Sequence, residues 1–233
     1  MKEQKYYSLE LDEVEKEADL IIFGDITSYP WTESDVSAYN LSTKLANLEV
    51  DTINVHINSY GGEVAEGLAI YNSLRQHKAK IKTYCDGFAC SIASVIFMAG
   101  DERVMSNAST LMIHNPWTYT SGNATELRKT AADLDKLAQA SVNAYLGSVT
   151  LSEEEIKKLM DEETWILPDE ALEYGFATAV TGAKAQEKYS QSVRKNILQK
   201  LTGKLPLASV AKPKLDEPKE NNLLKMFANI KEI

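Results

Sequence analysis

At 233 residues, 44% apolar and 25% charged, the chain has the make-up of a soluble globular protein with one full-sized core and room for an appendage. Its net charge of −9 argues against nucleic-acid binding by the body of the protein. No apolar run is long enough to span a bilayer, and Met1-Lys2-Glu3-Gln4-Lys5-Tyr6-Tyr7 lacks a hydrophobic signal region, so neither a membrane nor an export route is expected.

In chain order, Leu20-Ile21-Ile22-Phe23-Gly24-Asp25-Ile26 predicts a buried strand. Residues 32–48 predict a helix, with Thr32 or Ser34 as N-cap and Val36, Tyr39, Leu41, Leu45 and Leu48 as its apolar positions. Ile53-Asn54-Val55-His56-Ile57 alternates as a strand. Asn58-Ser59-Tyr60-Gly61-Gly62 is then a turn, opening a helix with Val64, Leu68, Tyr71 and Leu74 on one face. A third strand covers 81–85, and a small-residue turn leads from it to a helix that begins at Ser91. Short strands follow at 103–105 and 110–113, the second ending at His114. Repeated strand-turn-helix units imply a parallel sheet covered by helices.

Beyond His114 the pattern changes. Residues 123–146 contain no Gly or Pro and place Leu127, Ala131, Leu134, Leu137, Ala138, Val142 and Tyr145 at helical spacing, which predicts a long helix projecting from the layer. Leu151-Ser152-Glu153-Glu154-Glu155 starts another, with Ser152 and Glu155 as a capping box. Thr164-Trp165-Ile166-Leu167 is extended, and residues 168–174 form a helix stopped by Gly175. From Gln186 to Ile233 the chain has ten Lys/Arg against five Asp/Glu, a net +5 that leaves −14 on the body. Its prolines and spaced lysines predict a flexible linker, which closes on the short apolar stretch Leu223-Leu224-Lys225-Met226-Phe227-Ala228-Asn229-Ile230.

Three loops carry the chemistry. Gly61-Gly62, Ser91 and His114 each follow a predicted strand, and ligands of α/β sheets collect at the carboxyl ends of strands. A serine at a helix start is ordinarily a cap, and Gly-Gly after a strand is ordinarily a turn. Together with a histidine the same serine becomes a candidate nucleophile, and the N–H groups of Gly62 and Ile92 a two-donor oxyanion hole. The paired glycines also let a substrate backbone approach closely. His56 and His77 are placed as structural or solvated residues, and Cys90, beside Ser91, as a small buried residue. Two cysteines five residues apart form no disulfide framework, which points to a reducing cytoplasm. Neither zinc-ligand spacing nor a GxxxxGK[ST] loop is present, so no metal and no cofactor are expected.

Asn58-Ser59-Tyr60-Gly61-Gly62, Gly87-Phe88-Ala89-Cys90-Ser91, Met112-Ile113-His114-Asn115-Pro116 and Glu170-Ala171-Leu172-Glu173-Tyr174-Gly175 together resemble the Clp protease proteolytic subunit (ClpP-like) family. Four motifs stand in order at compatible spacing, from about Leu20 to Val180. Glu163-Thr164-Trp165 and Trp117 make the chain most similar to the phage and prophage branch, whose members act as head maturation (prohead) proteases.

The resemblance implies an α/β, crotonase-like fold of stacked ββα units with a projecting handle helix at about 123–146. It implies a peptidase domain over 20–183, preceded by an N-terminal segment 1–19 and followed by the basic tail 184–233. Carried over, Ser91 is the nucleophile and His114 the base; Gly62 and Ile92 form the oxyanion hole, and Gly61 and the Gly122 region bind substrate. The acid, counted back from Glu173-Tyr174-Gly175, is Glu163 where the family has an aspartate, with Asp161 as the alternative. The implied activity is that of an ATP-independent or partner-assisted serine endopeptidase acting on polypeptide, with phage capsid or scaffold proteins as substrates in a bacterial cytoplasm. Self-association into rings, heptameric and stacked by analogy, is implied as well. The N-terminus does not match the segment that meets an unfoldase in the housekeeping enzyme, which counts against dependence on an AAA+ partner. Competing readings are a weak or inactive ring acting as a capsid-assembly component, and an enoyl-CoA hydratase-like enzyme on the same fold.

Overall fold

The computed structural model describes residues 9–12, 16–29 and 36–181; the basic tail, 184–233, lies outside the described residues. Eight strands and six helices are present among them. The strands are β1 (Leu9–Asp12), β2 (Glu17–Phe23), β3 (Thr52–Ser59), β4 (Lys80–Cys90), β5 (Glu102–Ser106), β6 (Thr110–Ile113), β7 (Thr164–Ile166) and β8 (Ala179–Thr181). The helices are α1 (Ala38–Ala46), α2 (Val64–Gln76), α3 (Ile92–Phe97), α4 (Ala124–Leu146), α5 (Glu153–Asp161) and α6 (Pro168–Tyr174).

All eight strands join one sheet in the order β1-β2-β3-β4-β5-β8, with β6 attached to β4 and β7 to β6. The pairings β2–β3, β3–β4, β4–β5, β4–β6 and β5–β8 are parallel; β1–β2 and β6–β7 are antiparallel. Parallel strands need crossovers, which α1 and α2 supply. This is the mixed α/β architecture expected from the alternating pattern. The sheet also takes in β1 and the first residues of β2, inside the segment 1–19 assigned as preceding the domain.

β2 and β3 bury every second residue, so one sheet face packs on helices while the other carries Asp19, Asn54 and His56. The core gathers Leu20, Ile22, Ile53, Val55 and Ile57 from that covered face with Leu41, Leu45, Ile70 and Leu74 from α1 and α2. Every residue of α3 is buried, as a helix that is apolar all round must be. Gly67 lets α2 lie against it, since a Cβ there would fall 2.1 Å from Ile92 Cγ1. Burying a single leucine- or isoleucine-sized side chain in this layer is worth about 1.5–3 kcal/mol.

Two elements differ from the sequence-based expectation. Val36 is not helical; it forms a bridge to Ile26, and α1 begins at Ala38, whose N–H donates to Glu66 Oε2 at 2.6 Å. A carboxylate from α2 therefore caps α1, and the candidate caps Thr32 and Ser34 lie outside the described residues. Residues 86–90 do not form a turn either. β4 runs on through them, with a bulge where Ile57 faces Cys85 and Ser59 faces Ala89. Asn58 holds the bulge together: its side-chain oxygen accepts the Phe88 N–H at 3.1 Å. A Cβ at Gly87 would sit 2.5 Å from that same oxygen. The bulge twists β4 so that its first half pairs with β5 and its end with β6.

α4 leaves the body as expected. Of its 23 residues only Ser141, Val142, Ala144 and Tyr145 are buried, all in the last two turns. Asn123 and Glu126 form a capping box at its start, and Ser152 with Glu155 forms another on α5. No helix among the described residues is long and apolar enough to cross a membrane.

Candidate active site

Ser91 follows β4 directly, at φ 53° and ψ −128°, a backbone conformation that L-residues avoid because Cβ crowds the carbonyl oxygen. Its side chain makes no capping hydrogen bond to α3. The ordinary explanation for a serine at a helix start is thereby removed. The backbone is held on both sides instead: Ser91 N–H donates to the Met112 carbonyl at 2.8 Å, and the Ser91 carbonyl accepts the Ser94 N–H at 3.0 Å. The strain is of order 1–3 kcal/mol and persists only where neighbours over-determine the conformation.

His114 is the first residue after β6. The β4–β6 register pairs Cys90 with Met112, so the residue beyond each strand end meets the other at the same edge. His114 Nε2 lies 2.7 Å from Ser91 Oγ. In the tautomer protonated on Nδ1, Nε2 accepts the hydroxyl proton, the geometry that activates a serine.

The glycine pair closes the third side. Gly61 and Gly62 have φ of 105° and 148°. A Cβ at Gly61 would lie 2.8 Å from both the Cys90 carbonyl oxygen and Ser91 Cβ, and one at Gly62 would lie 2.0 Å from the Ile26 carbonyl oxygen. Ile26 N–H donates to the Gly61 carbonyl at 2.9 Å, and Glu63 N–H donates to the Ile26 carbonyl at 2.8 Å. These two bonds bracket Gly62 and leave its own N–H out of the ladder. Ile92, the first residue of α3, likewise offers an N–H that the helix does not use. Neither N–H has a hydrogen-bond partner among the described residues.

Ser91, His114, Gly61, Gly62 and Glu163 line one cleft of about 710 Å³, with Tyr60, Met112 and Trp117 among its walls. Glu163 stands just past the C-cap of α5 at φ 49°, where glycine or asparagine is usual. Among the described residues only Lys16, Ser91 and Glu163 are non-glycine residues with positive φ, and two of those three face this cleft. The Glu163 carboxylate has no hydrogen-bond or ion-pair partner among the described residues, and the His114 ring has one hydrogen bond there, to Ser91. The alternative acid is occupied: Asp161 Oδ1 accepts Asn115 Nδ2 at 2.7 Å. Ser91 and His114 are thus in contact, with one carboxylate in their cleft and a second tied to Asn115. Gly122 is elsewhere. It does not line the cleft, residues 114–123 contain no strand, and a Cβ on it would fall 2.6 Å from Glu126 Oε2.

The remaining candidates settle into structural roles. Burial pushes the thiols of Cys85 and Cys90 up to about 11, so both stay protonated at neutral pH and neither is a nucleophile. His56 pairs with Asp86 at 2.7 Å and stacks on Tyr84 at 4.7 Å. His77 Nε2 donates to the Leu48 carbonyl and its Nδ1 accepts the Ala79 N–H, a neutral ring that pins the end of α2. Sequence reasoning missed Glu63, whose carboxylate at the cleft accepts Thr27 Oγ1 at 2.9 Å, Ser28 Oγ at 2.8 Å and Ser28 N at 3.2 Å. Those donors, the Ser28 hydroxyl foremost, hold its pKa below the ordinary carboxylate value. A hydroxyl pair more than thirty residues upstream gives no local signal of this.

Ser91, on a strained strand-to-helix corner, and His114, just past the neighbouring strand β6, form the kind of serine–histidine pair that serine hydrolases use. A family model for Clp protease matches residues 19–184, and the chain belongs to that family. It is similar to the ATP-dependent Clp protease proteolytic subunit of Deinococcus radiodurans, with 38% identity over 130 residues. That match covers 55% of this chain and 64% of the relative's length.

Proposed function

We propose that the chain is a serine endopeptidase. Ser91 Oγ attacks a peptide carbonyl while His114 Nε2 takes its proton. The N–H groups of Gly62 and Ile92 stabilise the tetrahedral oxyanion, His114 returns the proton to the leaving amine, and water then hydrolyses the acyl-enzyme. Glu163 orients the imidazole and balances its charge, a part that a glutamate fills in other Ser-His hydrolases. The observation that carries this reading is the 2.7 Å Ser91–His114 contact made by a serine that caps nothing. A fluorophosphonate probe is expected to label Ser91, and Ser91→Ala to abolish both labelling and peptide cleavage. Cleavage that survives in that variant sinks the assignment.

The finer reading is that the substrates are phage capsid or scaffold proteins, processed in a bacterial cytoplasm without an AAA+ unfoldase or with a partner's assistance. Its support is the Glu163-Thr164-Trp165 run and Trp117, the features that make this chain similar to the prohead branch. Subunits associate into rings, by analogy stacked heptamers, and the exposed Leu127 and Leu137 on α4 offer the apolar contact between them. The unengaged Glu163 carboxylate favours one second reading, a catalytically weak ring that serves capsid assembly. Peptide turnover that falls in Glu163→Gln excludes this alternative.

A further inference from the structure

Tyr145 is among the largest fully buried side chains, at 1% exposure, and it sits at the foot of α4. Its ring packs edge-on against Phe176 at 5.6 Å. Its hydroxyl lies 2.8 Å from Ser94 Oγ, and Ser94 Oγ lies 2.5 Å from the Ser91 carbonyl oxygen. Proton count fixes the directions. A carbonyl has no proton, so the Ser94 hydroxyl donates to Ser91, and its lone pair is left to accept from Tyr145. Burial pushes the Tyr145 phenol well above its ordinary value, so it is a donor throughout the neutral range.

A buried phenol needs some acceptor, and most backbone carbonyls would serve. This one reaches, through a single hydroxyl, the carbonyl of the one residue in α3's approach that is held at φ 53°. The same carbonyl takes the Ser94 N–H, so Ser94 clamps the Ser91 peptide with both its donors. We propose that Tyr145 is a positioning residue: through Ser94 it ties the base of α4 to the Ser91 peptide and so sets the Oγ–His114 geometry. Linked hydrogen bonds polarise one another, and losing the outer one weakens the inner. A small misplacement of the nucleophile reduces the reactive geometry without altering how substrate is held. The inference rests on Ser91 being the nucleophile.

Tyr145→Phe keeps the ring and its packing on Phe176 while removing the hydroxyl. In the full chain at 25 °C, the expected result is a fall of about tenfold in kcat and in the fluorophosphonate labelling rate, with KM within about twofold of wild type. Ser94→Ala is expected to do the same, and Tyr145→Phe/Ser94→Ala to be no slower than the slower single variant, because both cut one chain. Wild-type kcat and labelling in Tyr145→Phe, or losses that multiply in the double variant, overturn the proposal. So does an effect confined to KM. The two readings fail separately: cleavage that survives in Ser91→Ala overturns the nucleophile, whereas an inactive Ser91→Ala beside a fully active Tyr145→Phe overturns the tie alone.

Discussion

The end of β4 and the end of α5 both present a non-glycine residue at positive φ to the same cleft, yet they are built in opposite ways. Ser91 is fixed by the core: its N–H is in the β6 ladder, its carbonyl is held twice by Ser94, and α3 behind it is wholly buried. Glu163 is fixed by little more than its place after a surface helix, with its N–H 3.2 Å from the Met160 carbonyl and its carboxylate unpartnered among the described residues. Placement of the Ser91 hydroxyl is thus a property of the sheet. Placement of the carboxylate belongs to an exposed loop, which a neighbouring subunit or a bound substrate can still adjust.

The steepest loss of activity belongs to the carboxylate. Removing the orienting acid of a Ser-His triad costs about 10³–10⁴-fold in kcat, so Glu163→Gln is expected to lose activity on that scale. Asp161→Asn keeps an oxygen for Asn115 and is expected to stay within about threefold of wild type. Glu163→Gly separates backbone from chemistry. Glycine relieves the positive φ, worth about 0.5–1 kcal/mol here, so thermal unfolding should shift upward or hold while activity disappears. If Asp161→Asn proves the damaging change, the carboxylate in the cleft is a bystander and Asp161 is the acid.

The rigid half is probed at Gly62. An alanine there puts Cβ 2.0 Å from the Ile26 carbonyl oxygen at a φ of 148°, so the bridge to Ile26 must open. The expected outcome of Gly62→Ala is a loss of about 2 kcal/mol in denaturant unfolding. A fall of about 10²–10³-fold in kcat should accompany it, the usual cost of a lost oxyanion donor. Unchanged kcat would mean that the N–H at this position is not aimed at the reacting carbonyl.

Much of this is legible in the sequence. The period-2 run at Ile53–Ile57, the Gly-free stretch that became α4 and the capping box at Ser152 are local signals with local causes. Ser91 and His114 were legible for a different reason, since each had to follow a strand that ends at one sheet edge. What stayed hidden was decided by partners far apart in sequence. β4 continues through Asp86-Gly87 because Asn58 fills its bulge, and α1 starts late because Glu66 caps it and Val36 is drawn to Ile26. The Tyr145–Ser94 contact spans 51 positions, and helical periodicity registers that tyrosine only as a core residue. Gly122 was placed by resemblance alone, and it is not among the residues that line the cleft.

The smallest effect expected lies at the mouth of the cleft, where Glu63 holds Thr27 and Ser28. The folded anion accepts two hydroxyls and an N–H, and these bonds lower its pKa from the ordinary value of 4.5. The unfolded chain lacks them. A depressed carboxylate contributes stability above its unfolded pKa and loses it as pH falls through the folded one. Glu63→Gln should therefore be less stable than wild type at pH 7, by under about 1 kcal/mol because the group is solvent-exposed. The gap should close as pH drops below about 4. Denaturant midpoints measured at pH 7, 5 and 3 read this directly. A gap that is constant across the three would mean that Glu63 acts through packing, and that its part of the cleft wall is held by shape rather than by charge.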